Sequence, residues 1–119
     1  MKRTGILLLA ALLLAPVSVL AQAPQPQSGT AKRLSHATPG VTATQILGSD
    51  PSRLSALCNN GGSVNVFVGP DATVTASGAN VGFPVAAGGN LVVDKAPATP
   101  LFGITGSGSA TITCLEEIR

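Results

Sequence analysis

The stretch from Asn59 to Asp71, Asn-Asn-Gly-Gly-Ser-Val-Asn-Val-Phe-Val-Gly-Pro-Asp, reads as turn, strand, turn, and the chain beyond it repeats that grammar. Asn60-Gly61 is a hairpin signal, because both residues tolerate positive φ. Val64, Val66 and Val68 share one face of the strand, with Asn65 and Phe67 on the other. Gly69-Pro70-Asp71 stops it, since proline has no N–H to give a ladder.

The same reading extends in both directions. Val41 to Leu47 is rich in β-branched residues and predicts a strand, ended by Gly48-Ser49-Asp50-Pro51. Arg53 to Cys58 is the next, with Leu54, Ala56 and Cys58 inward; the alternation and flanking turns favour it over a short helix at 51–57. Thr73-Val74-Thr75 and Val81 to Val85 are short extended pieces around Ser77-Gly78-Ala79-Asn80. Leu91-Val92-Val93-Asp94 is an unbroken apolar run, which suggests burial on both faces. A Pro-rich loop at Lys95 to Pro100 precedes strands at Leu101-Phe102-Gly103-Ile104 and Ala110 to Leu115. About seven or eight short strands with regular turn signals predict an all-β fold, a small antiparallel β-sandwich or barrel.

The N-terminus reads as a targeting segment. Lys2 and Arg3 precede an apolar run, Ile6 to Ala15, and Ala21-Gln22-Ala23 offers small residues at both positions a signal peptidase reads. Cleavage is expected after Ala23, or alternatively after Ala21. An uncleaved anchor fits poorly, because the apolar run is short and broken by Pro16. No cysteine near the site supports a lipid anchor. The expected organisation is a signal peptide over 1–23, a disordered Pro/Gln/Ser-rich linker over 24–40 and a β-sandwich domain over 41–119. The expected destination is the periplasm or the medium of a bacterium with Sec-type export. His36, the single histidine, falls in the linker and reads as solvated.

Charge excludes one class of partner. The whole chain carries a formal +2, which comes from Lys2 and Arg3. The remaining cations, Lys32, Arg33, Arg53, Lys95 and Arg119, balance Asp50, Asp71, Asp94, Glu116 and Glu117. A nucleic-acid partner is therefore not expected. After cleavage no second apolar segment is long enough for a stable membrane span. The charged fraction is 10%, against a usual value of about 25%. A surface with so few charges invites self-association; a surface of Ser, Thr, Asn and Gly is the alternative.

The two cysteines, Cys58 and Cys114, suggest a disulfide in an exported chain. Cys58 shares a strand face with Leu54 and Ala56, and Cys114 with Ala110 and Ile112. If both apolar faces look inward, the sulfurs meet in the core. Two unpaired buried thiols are the other reading. Redox or metal roles need close spacing or partner histidines, which are missing.

No catalytic constellation is visible. A Ser or Cys nucleophile needs a base in reach, and the lone histidine lies in the linker. The carboxylates flank turns or the C-terminus, where solvated charges sit, and Glu116-Glu117 point to opposite strand faces. Gly61-Gly62-Ser63 and Gly106-Ser107-Gly108-Ser109 lack the Lys and helix of a phosphate loop and read as turns. Asp71 and Asp94 offer oxygen ligands for Ca²⁺ but no dense acidic loop, so no metal or cofactor is expected. With no Trp or Tyr for stacking sugars, Phe67, Phe83 and Phe102 read as core. Phe83-Pro84 is the one pair expected to offer an exposed contact.

The succession Val41-Thr42-Ala43-Thr44, Ile46-Leu47, Pro51-Ser52-Arg53, Asn59-Asn60-Gly61, Val66-Phe67-Val68-Gly69, Thr73-Val74-Thr75, Gly82-Phe83-Pro84, Ala87-Gly88-Gly89, Leu101-Phe102-Gly103-Ile104 and Leu115-Glu116 resembles small β-rich proteins encoded among tailed-phage and prophage structural genes. The resemblance covers most of 41–117 and implies a virion-associated role. The phage-like proteins lack a signal peptide and carry Val or Ile where Cys58 and Cys114 stand. Both departures suit a fold adapted to an oxidising compartment. The combined expectation is an exported, non-catalytic structural or binding module, a homo-oligomer or part of a cell-surface or virion-like assembly. A monomeric adhesion or ligand-binding domain is the first rival; a small secreted inhibitor or hydrolase is the second.

Overall fold

The computed structural model describes residues 30–119. The expected signal peptide over 1–23 and the Pro-Gln segment at 24–29 lie outside them. Eight strands form: β1 (Ala31–Ala37), β2 (Thr44–Leu47), β3 (Arg53–Asn60), β4 (Val66–Gly69), β5 (Phe83–Val85), β6 (Asn90–Val93), β7 (Leu101–Thr105) and β8 (Ile112–Ile118). They make two four-stranded sheets, β1-β8-β3-β6 and β2-β7-β4-β5, and every strand pairing is antiparallel. The expected all-β sandwich is what forms. Among the described residues no helix is long and apolar enough to cross a membrane.

Only β4 and β5 are both consecutive in sequence and paired; every other connection crosses from one sheet to the other. This strand order is that of an eight-stranded jelly roll, two interlocked Greek keys. It corrects the hairpin expected at Asn60-Gly61. Gly61 is not among the positive-φ glycines, and the turn carries the chain from β3 in one sheet to β4 in the other. Asn60 is there for its side chain. It is fully buried, its Nδ2 donates to the carbonyls of Val64 (2.8 Å) and Val85 (3.0 Å), and its Oδ1 accepts from the Gly62 amide (3.0 Å). One amide thus ties the end of β3 to both elements across the sandwich. Gly62 permits the approach, because a Cβ there would lie 2.4 Å from that of Ala110.

The domain also begins earlier than the composition suggests. Ala31–Ala37, assigned to the disordered linker, is an edge strand in full register with β8, from Ala31 opposite Ile118 to Ala37 opposite Ile112. His36 is therefore a strand residue, its Nδ1 3.1 Å from the Thr113 hydroxyl. Pro39, just beyond, is fully buried. It fits because β7 carries a glycine at its centre: a Cβ on Gly103 would stand 2.6 Å from Ile46 Cδ1 and 3.1 Å from Pro39 Cγ.

The buried core is aliphatic: Ile46, Leu47, Ala56, Val66, Val68, Val85, Ala110 and Ile112, with Cys58 and Cys114 among them. Contrary to the expectation of aromatic filling, none of the three phenylalanines belongs to it. Leu91–Val93 is not buried on both faces either. β6 is an edge strand, so Leu91 and Val93 turn inward while Val92 is 62% exposed. A short core without aromatic volume supplies little apolar area, and a covalent link matters more.

That link forms as expected. Cys58 and Cys114 face each other across β3 and β8 and are joined as a disulfide within one sheet, at a sequence separation of 56. Reducing it, or replacing both residues by Ala, is expected to cost about 4 kcal/mol in the chain-entropy account, read as a lower denaturant midpoint. Asn60→Ala removes the donor to the Val64 and Val85 carbonyls and is expected to cost about 1–3 kcal/mol, measured by thermal melting of the oxidised protein.

Candidate functional site

Two clefts lie at opposite edges of the sandwich. The first is charged. β1 places Arg33 and Ser35 on its inward face opposite Glu116 and Cys114 of β8. A bulge between Arg53 and Ser55 breaks the alternation of β3 and turns Arg53 inward, leaving Leu54 half-buried. Glu116, expected to be solvated, is 1% exposed and Arg53 is 3% exposed. The Glu116 carboxylate accepts from Arg33 Nε (2.9 Å) and Nη2 (2.8 Å), from Arg53 Nε (2.7 Å) and from the Ser35 hydroxyl. Arg33 Nη2 also donates to Asp50 (2.7 Å), which takes the Ser52 amide and hydroxyl as well. The rest of the Arg53 guanidinium donates to the carbonyls of Gly48 (2.7 Å), Pro97 (3.0 Å) and Thr99 (3.3 Å).

This cleft, about 280 Å³, gathers two acidic residues, the arrangement that revives the hydrolase reading. Its electrostatics point the other way. Hydrogen bonds from Arg33, with Ser35 and Arg53 adding, hold the Glu116 carboxyl down at about 2 against the opposing effect of burial. Ser52 first, then Arg33, lower Asp50 well below the usual carboxylate range. Arg33 is raised in turn, chiefly by Glu116. A general acid needs a carboxyl whose pKa is raised toward neutrality, and both carboxyls here are lowered. Two arginines and two carboxylates cancel, and the hydrogen bonds of the cluster run between them and, from Arg53, to backbone carbonyls. The arrangement is an ionic clasp holding β1, β3, β8 and the turns at 48–50 and 97–99 together.

The second cleft lies at the far edge, where β5 and β6 end their sheets. It is an apolar hollow of about 340 Å³ walled by Phe83, Val92, Pro70 and Pro100, with Asp94 and Lys95 among its lining residues. Phe83 also lines a neighbouring hollow of about 250 Å³ under the loop between β4 and β5. That loop is pinned by the buried Val74, against which the missing Cβ of Gly82 would lie 2.6 Å from Cγ2. Of the expected contact pair, Phe83 is 64% exposed and belongs to the cleft wall. Pro84 is exposed too, but strand alternation turns it to the other face of the sheet, and it lines neither hollow. The two exposed side chains therefore stand on opposite faces of the sheet.

Apolar side chains are exposed elsewhere as well. On the outer face of the β1-β8-β3-β6 sheet, Leu34 lies opposite Leu115, Leu115 opposite Leu57 and Leu57 opposite Val92. Inward neighbours at alternate positions hold the disulfide and the clasp, so strand parity forces these four outward. Sequence reading found Leu57 and Leu115 only as the gaps in an inward pattern, and nothing local aligned the four. Among the described residues no three His, Cys, Asp or Glu side chains converge as a metal site. Comparison with protein-family models, curated proteins and solved structures found no match.

The clasp makes a pH prediction. Glu116 has a lower pKa folded than its ordinary 4.5, so it adds stability above that value and loses it as pH falls toward about 2. The melting temperature is expected to drop over that window. Glu116→Gln flattens the acid slope, and at neutral pH it costs about 3–5 kcal/mol by leaving Arg53 buried without its counter-charge.

Proposed function

We propose that the chain is an exported, non-catalytic structural or binding module that works through apolar surface, by self-association or as part of a cell-surface or virion-like assembly. One observation carries this reading: beside an aliphatic core, two charged side chains are buried while large apolar ones stand exposed. Arg53 and Glu116 are buried at 3% and 1% exposure, while Leu34, Phe83 and Val92 stand at 61%, 64% and 62%. Lys, Glu and Arg are seldom fully buried, and large grouped apolar side chains on a surface mark contact sites. The disulfide suits an oxidising compartment. The jelly-roll strand order is shared by viral capsid and lectin domains, which supports a virion-like or cell-surface role by fold analogy alone. The phage-like succession of residues is the other support for the virion-like role.

The monomeric ligand-binding reading keeps one observation of its own, the apolar cleft beside Phe83. The two separate experimentally. Light scattering on the exported, processed chain after size-exclusion chromatography is expected to give a mass above one chain, or cell fractionation to hold the chain at the surface. A strict monomer recovered free in the soluble fraction overturns the proposal. Binding of small apolar probes abolished by Phe83→Ser in such a monomer establishes the rival.

A further inference from the structure

We propose that the outer face of the β1-β8-β3-β6 sheet is a dimer surface whose occupant is a second copy of this chain. The inference rests on the self-associating reading above and names its surface. Leu34, Leu115, Leu57 and Val92 form one unbroken line across all four strands, at 61%, 38%, 46% and 62% exposure. Three inter-strand spacings make it about 14 Å long. The row on one side holds Lys32, Glu117 and Ser55. The row on the other holds His36, Thr113, Asn59 and Asn90. An apolar line between polar margins is the plan of an interface, with a dry centre and a wet rim.

Three observations select a second copy. First, the line is self-complementary. A two-fold axis in the plane of the face, whether along the line or across it, lays aliphatic side chains on aliphatic side chains, as an isologous contact requires. Second, charge permits it. Lys32 and Glu117 are neighbours in one row, and neither axis brings like charges together. The axis across the line sets Lys32 of one copy toward Asp94 of the other, two residues beyond the outward Val92. Third, the sheet edges are closed to strand pairing. β5 carries Pro84, β1 carries Lys32 and Arg33, and β2 and β6 are each four residues long. These are the devices that discourage edge-to-edge association, so contact between copies is left to the face. A lipid surface is a poorer match. The chain has no Trp or Tyr, and the face lacks the cluster of basic residues that holds interfacial segments to anionic membranes.

Size sets the strength. A face about 14 Å by 24 Å covers on the order of 350 Å² per copy, below the roughly 800 Å² of a standard interface. The dissociation constant of the dimer is therefore expected to lie above about 1 µM, and the contact to gain from repetition in any larger array.

Sedimentation velocity on the processed, oxidised chain over a range from micromolar to millimolar tests it. The expected result is a mass rising from one chain toward two. Leu57→Glu and Leu115→Glu should raise the dissociation constant at least tenfold, with the disulfide intact and cooperative melting retained. Phe83→Ser should leave the association unchanged. If either Leu variant fails to fold, Val92→Glu on the edge strand carries the same expectation. The inference is overturned by a monomer at millimolar concentration, by association lost in Phe83→Ser and kept in Leu57→Glu, or by Leu57-dependent co-sedimentation with phosphatidylcholine or phosphatidylglycerol vesicles without self-association. A soluble monomer still retained at the cell surface sinks this inference and leaves the broader functional reading standing.

Discussion

β8 carries both of the strong ties that hold this small fold together, and they sit two residues apart on its inward face. Cys114 is bonded to Cys58 of β3. Glu116 takes Arg53 at the start of β3 on one side and Arg33 of β1 on the other. The last strand of the chain is thus fixed to its first strand and to the middle of the same sheet. A jelly roll needs such a device. Its neighbours in space are distant in sequence, so most contacts close long loops before they return any energy. A large core repays that entropy with apolar area. Here the core is aliphatic and short, and a covalent link plus a satisfied ion cluster make up the difference. The cluster favours the fold because every buried polar side-chain atom among the described residues has a partner, the condition under which a buried charge is tolerated.

The all-β class was legible because it is a local property. Valine alternation and glycine turns state what each segment is, and Gly69-Pro70 ends β4 where the proline says it must. The disulfide was legible for a related reason: parity placed Ala56 with Cys58 and Ile112 with Cys114, and those faces are buried. The topology was not legible. Asn60-Gly61 looks the same whether the next strand pairs in the same sheet or leaves it. What decides is the bonding of the Asn60 side chain to Val64 and Val85, a partner 25 residues away. β1 was missed because Ala-Lys-Arg-Leu-Ser-His-Ala has no β-branched residue. It is a strand because β8 offers it a complete register and because Arg33 finds Glu116 there.

The charged clasp was hidden by the strongest habit of sequence reading, that adjacent glutamates near a C-terminus are solvated. Alternation separated Glu116 from Glu117 and, with Ile112 and Cys114 inward, gave Glu116 the inward parity, but it named no partner for a buried carboxylate. That needed Arg53 turned by a bulge, which no local signal in Arg53-Leu54-Ser55 announces. Phe83 shows the converse. It has the same parity as the buried Val85, so the pattern points it inward, yet it stands on an edge strand in the wall of an open cleft and is largely exposed.

The clasp and the exposed leucines are two consequences of one allocation. The described residues hold ten charged side chains, and Arg33, Arg53, Asp50 and Glu116 are consumed by one another. Six stand outside these pairs: Lys32, Lys95 and Arg119 against Asp71, Asp94 and Glu117. Three of each sign give no net field to hold copies apart, and so few charges leave much of the outer sheet to neutral side chains. Spending charge inside therefore stabilises the monomer and lowers the barrier to contact between monomers. The same strand enforces both, since turning Cys114 and Glu116 inward obliges Leu115 between them to face out.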